Sequence, residues 1–250
     1  MEKKYKLTDE TIEYCAHTLY RIEALIDFGN VKKGDKGGWI EKESNLSHKG
    51  NCWVRNNAMV FGDAKVYDNA RIYWESKVYG QARVYEKATI SDKAEIAGMA
   101  EIYGNADIYG KAKITGVAKV YGDSCIYGET VIDNYVKVYG DASVCGCSAI
   151  IEHAEISERA KISENAVIGG YAKIFGDSEI FGNANIDKDV KVFGTAAVCE
   201  QAIVTGEAII SGNAIISGNA VIDGEVEIES INDYVVFKKT SGLLEDTSPI

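Results

Sequence analysis

At 250 residues and a formal net charge of −11, the chain is acidic, which argues against a nucleic-acid-coating role that needs an excess of Lys and Arg. Its 25 glycines beside a single proline exclude a collagen or a proline-rich linker. No apolar run approaches the ~18 residues of a membrane span, and Met1-Glu2-Lys3-Lys4-Tyr5 opens no signal-peptide pattern, so a soluble, cytoplasmic protein is expected.

Residues 1–51 read as a small N-terminal cap. Within it, residues 8–17 suit a short helix with Thr8 or Asp9 as its N-cap, and residues 20–25 alternate polar and apolar as a strand does. Between Asp27 and Ile40, the Gly34-Asp35 and Gly37-Gly38 steps are turn chemistry between short strands. This is no phosphate loop, because the Gly-Lys-Ser/Thr ending and a following helix are both missing. Ile40 and Leu46 stand six apart, whereas Leu46 and Val54 stand eight apart. A two-residue insertion around His48-Lys49-Gly50 therefore joins a first, irregular coil to the regular frame.

Residues 52–228 repeat a six-residue unit without a slip. Every sixth residue from Val54 to Ile228, thirty positions in all, is Val or Ile. Two residues before each stands a small one, usually Ala, with Cys52, Ser76, Thr130 and Val136 among the exceptions. Two residues after comes a turn signal, as at Gly62, Gly80, Gly104, Gly122 and Gly140. Such a unit is too short for a helical repeat and fits a short strand plus a turn. Stacked units make a parallel β-helix, with Val and Ile inside and the small residue at the tight corner. Residues 229–250 follow, with a closing strand expected over 231–237 and a frayed tail or docking arm over 241–250.

The aliphatic residue followed four positions later by a small one, as in Val66 with Ala70 and Ile102 with Ala106, resembles the hexapeptide-repeat superfamily. That resemblance implies an all-β fold, a left-handed parallel β-helix of triangular section with three hexads per coil. Ten coils at ~4.8 Å each would give a prism about 48 Å long. The cap residues 27–40, with Asn45-Leu46-Ser47-His48 and Cys52-Trp53-Val54, resemble bacterial and phage or prophage proteins of this fold, named provisionally as transferases or not at all. A phage or bacterial origin is what this second resemblance implies.

With 18 residues per coil, the outward positions fall into columns. One face carries Lys65, Arg83, Lys119 and Lys137 beside Tyr67, Tyr85, Tyr103, Tyr121 and Tyr139. A basic ladder beside an aromatic one could hold a sugar chain, a nucleotide strand or an acidic protein surface. The same ladder could simply stabilise the stack, with lysine stems covering the rings. A second face is apolar in its later coils, at Val131, Ile151, Val167, Ile203 and Val221, and Ile209 and Ile215 continue the patch onto the other two faces. A protein partner or self-association into a homo-oligomer is expected there. Residues 52–139 are balanced at 11 basic and 11 acidic, whereas residues 140–229 hold 5 against 15. Such an acidic rod could compete with nucleic acid for a basic groove.

Enzymes of the resembling superfamily are mostly acyltransferases, with a His base near an extruded loop, or carbonic anhydrases, with three His on zinc. This chain has His17, His48 and His153 only, too far apart along the frame to share a metal. His153 is the one plausible base, in a turn stacked between Tyr135 and Tyr171, but the unbroken frame leaves no extruded loop beside it. The six cysteines, with no Cys-x-x-Cys pair, read as free thiols in a reducing compartment. The expectation is a non-catalytic β-solenoid that binds a macromolecule, such as a host nucleic-acid-handling or defence protein, without cofactor or metal. A hexapeptide-repeat acyltransferase using acyl-coenzyme A is the alternative.

Overall fold

The computed structural model describes residues 3–230, 236–240 and 243–246. The chain divides into two compact units, Met1–Asp123 and Ser124–Ile250. Both are built from parallel coils of very short strands, and the only helical turn among the described residues is the 3₁₀ segment Glu43–Asn45.

The first unit opens with β1 (Tyr5–Tyr14) and β2 (His17–Ala24) as an antiparallel hairpin, and β2 pairs antiparallel with β3 (Lys36–Ile40). The helix expected over residues 8–17 is therefore absent. Its place is taken by the second half of β1 and a tight turn in which Cys15 and Ala16 both have positive φ, +48° and +64°. That geometry matches the right-handed twist of a hairpin, although it normally selects Asn-Gly. Packing decides the outcome, because Ile12 and Tyr14 cover Leu19, Trp39 and Phe61, contacts that a helix could not make. Gly37-Gly38 is likewise strand and not turn. A Cβ at Gly37 would come within 2.5 Å of Ile22 Cγ1, and one at Gly38 within 2.6 Å of the Ala58 carbonyl. Their role is close approach between layers.

β3 continues directly into the coils. Ile40 pairs in parallel with Val60, Leu46 bridges to Val66, and Val54 pairs with Ile72. Ile40, Leu46 and Val54 thus form the irregular first coil that their spacing implies, so the solenoid begins inside the cap. From there each two-residue strand pairs with the one 18 residues on within the unit, as Glu95 with Lys113 and Ile96 with Ile114. The Val and Ile residues of the frame from Val54 to Ile222 are buried, as are the small residues such as Ala82, Ala100 and Ala106. Every sixth residue from Asn56 to Gly224 has positive φ; eleven of these are not glycine, and Trp74 is one of them.

Parallel pairing bonds each strand to the coils on both sides of it. An amide of one coil donates to a carbonyl of the next, as Lys65 N–H to Ala82 (2.9 Å) and Tyr67 N–H to Val84 (3.1 Å). The first coil's carbonyls therefore lack a coil beneath them, and three cap side chains supply the donors. Lys4 Nζ donates to the Cys52 and Gly50 carbonyls at 2.9 and 3.3 Å. The Tyr5 hydroxyl donates to those of Leu46 and Glu43 at 2.7 and 3.0 Å. Arg21 Nη1 reaches those of Asn56 and Gly37 at 2.7 and 3.0 Å. Buried carbonyls without donors are costly, which is why a lysine and a tyrosine that are essentially inaccessible occupy these places.

The second unit continues the same pairing, for example Lys137 with Glu155 and Glu155 with Lys173. Its later strands lengthen to Ile209–Gly212 and Ile215–Gly218. Of the closing strand expected over 231–237, residues 231–235 lie outside the described residues. The observed strand is Val236–Thr240, parallel to Ile215–Gly218. The tail expected over 241–250 contains a strand, Leu243–Asp246, antiparallel to it, and its other residues lie outside the described ones.

Candidate binding surfaces

In the first unit, the aromatic column is a continuous stack. Tyr67–Tyr85, Tyr85–Tyr103 and Tyr103–Tyr121 have ring centroids 4.9, 4.9 and 4.8 Å apart, with interplanar angles of 8° or less. Each ring is half-buried, and the faces of Tyr85 and Tyr103 are covered on both sides by their neighbours. Only edges and hydroxyls face outward. Burial pushes the Tyr67, Tyr85 and Tyr103 hydroxyls above their ordinary range, and Glu101 adds to this for Tyr85 and Tyr103, so they remain neutral donors. The neighbouring basic column is partly neutralised, because Glu101 lies 3.5 Å from Arg83 and 3.0 Å from Lys119. Lys65, Arg83, Glu101 and Lys119 line one side of an open groove of about 530 Å³, with Gln81 and Met99 opposite. The sugar- or base-stacking role expected of the tyrosines has little ring face left to work with; the groove beside them is the accessible part.

In the second unit, Lys137 and Tyr139 hold the same frame positions, and Glu155 lies 2.6 Å from Lys137 and 3.8 Å from Lys173. The apolar column is exposed: Val131, Val167, Ile203 and Val221 are 38, 36, 41 and 44% accessible. Ile151, Ile209 and Ile215 are half-buried. His153 lies between Tyr135 and Tyr171, with ring centroids at 4.9 and 4.6 Å, and both tyrosines are exposed. Among the described residues, no carboxylate hydrogen-bonds its imidazole. Nearby Glu152 accepts the Gly170 amide at 2.9 Å instead. A general base is normally aligned by such a partner, and His153 is held only by stacking.

No family model matches the chain. Over 60 residues it is 35% identical to a protein of Escherichia coli (strain K12) named uncharacterized acetyltransferase YdcK. That match is short, and it is the coils and the six-residue frame that show the architecture. The chain is a hexapeptide-repeat β-solenoid. The shared stretch is 21% of this solenoid and 18% of YdcK, so the solenoid spans far less than two thirds of that relative.

The other two histidines of the solenoid are structural. His17 Nδ1 lies 2.9 Å from Glu41 Oε1, and that hydrogen bond holds the Glu41 carboxyl below the usual range. His48 stacks on Tyr5 at 4.3 Å and its Nδ1 accepts the Lys4 amide at 3.2 Å, which requires the neutral ring. Burial accordingly pushes its pKa down. Among the described residues no group of three or more His, Cys, Asp or Glu is placed to hold a metal ion. Two features escape sequence reasoning. The carbonyl-capping roles of Lys4, Tyr5 and Arg21 depend on tertiary contacts alone. Trp74 was legible in principle, since a tryptophan stands in the column that otherwise takes Gly, Asn, Asp, Glu or Lys.

Proposed function

We propose that the chain is a non-catalytic binding scaffold whose second unit engages another protein through its apolar face. The observation that carries this reading is the exposed column Val131, Val167, Ile203 and Val221. At ~4.8 Å per coil it extends over about 24 Å; the small Ala149 and Gly169 keep it flat between the larger side chains, and Asn185 is its one polar member. Flat aliphatic surface of this extent is uncommon on a solitary molecule and suits a dry contact. The surrounding excess of acidic residues, 15 against 5 over residues 140–229, would steer a basic partner toward it, such as a nucleic-acid-handling protein. A second copy of the chain is the first occupant to test. Multi-angle light scattering over a concentration series, with cross-linked affinity capture, should show an assembly that Val167→Lys with Ile203→Lys abolishes without lowering thermal stability. A strictly monomeric protein that captures nothing beyond what the double variant captures would overturn it.

The match to a protein named as an acetyltransferase favours a second reading, acyl transfer with His153 as base. Calorimetric binding of acetyl-coenzyme A that is lost in His153→Ala would support it. Absence of binding would remove it.

A further inference from the structure

We propose that Trp74 is the platform of a saccharide-binding site on the first unit. The side chain is 59% exposed, while Trp39 and Trp53 are 9 and 3% exposed. It stands on a turn at φ +58°, a conformation that bulky side chains rarely adopt and that the frame fills most often with glycine. Its coil neighbours in that column are Asn56 and Asp92, so no ring covers either face of the indole among the described residues, unlike the tyrosine stack.

The indole lies in a groove of about 470 Å³, within the range of small-ligand sites. Around it stand Asn56, Asn57, Glu75, Asp92, Lys93 and Lys111. Two carboxylates and two ammonium groups balance, with Lys93 and Glu75 3.6 Å apart, so the site has no net pull on a phosphate chain. It offers instead closely set donors and acceptors beside an open aromatic face. A pyranose matches that combination, since its C–H face packs on a ring while its equatorial hydroxyls both donate and accept. A nucleic-acid strand would seek positive charge as well as stacking. Four coils contribute to the groove, a reach of about 14 Å at ~4.8 Å per coil, enough for a short oligosaccharide and more than a single sugar needs.

Trp74 is the one exposed tryptophan, so intrinsic fluorescence reads the site directly. Titration with cellotetraose, maltotetraose and chitotetraose should give a saturable change in emission with at least one of them. Trp74→Gly restores the commonest residue of that column. It should keep or raise the melting temperature while lowering affinity at least tenfold by calorimetry, whereas Trp74→Tyr retains most of it. No saturable change with any of the three sugars, or binding that Trp74→Gly leaves intact, would overturn the assignment. So would saturation by a thymidine octanucleotide in place of the sugars.

Discussion

Replacing Tyr5 by Phe tests whether the cap works by supplying hydrogen-bond donors. The ring remains, with its stack on His48 and its edge contact to Trp53, so no cavity opens. What disappears is the hydroxyl that donates to the Leu46 carbonyl at 2.7 Å and the Glu43 carbonyl at 3.0 Å. The Leu46 bond is fully buried, and an orphaned buried acceptor costs about 1–3 kcal/mol. Water can reach the part-buried Glu43 carbonyl, which therefore adds little. The expected loss is about 2 kcal/mol, confined to the cap and first coils because a solenoid couples chiefly through neighbouring repeats. Urea unfolding followed by fluorescence of the buried Trp39 and Trp53 reports on this region. Hydrogen exchange resolves it further: amides such as that of Trp53, bonded to Ala70, should exchange roughly 30-fold faster. Those of the second unit should be unaffected. A loss below ~0.5 kcal/mol, or acceleration spread evenly along the chain, would refute the reasoning that capping carbonyls is what these residues do.

Other consequences are as direct. Ile102→Ala removes three carbons from a fully buried site, at ~0.8 kcal/mol each plus a cavity term, so a destabilisation of about 3–4 kcal/mol is expected in chemical unfolding. Ala100→Val should cost under ~1.5 kcal/mol, because Val136 and Val190 already fill the equivalent frame position without exposure. The pKa of His48 is pushed down by burial, while the unfolded ring titrates near ~6.5. Its contribution is thus present above that pH and lost as pH falls below it, since the unfolded chain then binds the proton more readily. Thermal melts between pH 7 and pH 5 should slope downward, and His48→Asn should flatten that slope. Burial raises the Cys52 and Cys199 thiols above their ordinary range, whereas Cys15 and Cys147 are exposed. Iodoacetamide followed by peptide mass mapping should label the exposed pair first; equal rates at Cys52 would show that the first coil opens readily.

The frame was readable because a β-helix enforces the same steric rule every six residues, and thirty Val or Ile positions leave no other period possible. Even its one irregularity, the eight-residue step from Leu46 to Val54, announced the first coil. The hairpin of β1 and β2 was not readable, because residues 8–14 are mostly polar and their turn uses Cys15-Ala16 where Asn-Gly would have given the signal. Only the packing of Ile12 and Tyr14 against Phe61 and its neighbours reveals it. Among the surfaces, periodicity placed the tyrosine ladder and the position of His153 between Tyr135 and Tyr171. It left open whether stacking would spend the tyrosine faces, and although it sets Glu101 between Arg83 and Lys119, the ion pairs with both come from the structure. Trp74 shows the converse: its identity was plain, and its meaning waited on the sign of φ.

The capping of the first coil has a consequence for assembly. An uncovered first coil would present unpaired strand amides and carbonyls, and these match the edge of any similar coil. A copy without the β1–β2 hairpin would be, in the polymer chemist's sense, a monomer with a reactive head. Its growth would be heterologous and non-closing, yielding fibres and no closed rings. Lys4, Tyr5 and Arg21 would then act as chain terminators, covering the end at which such growth would start.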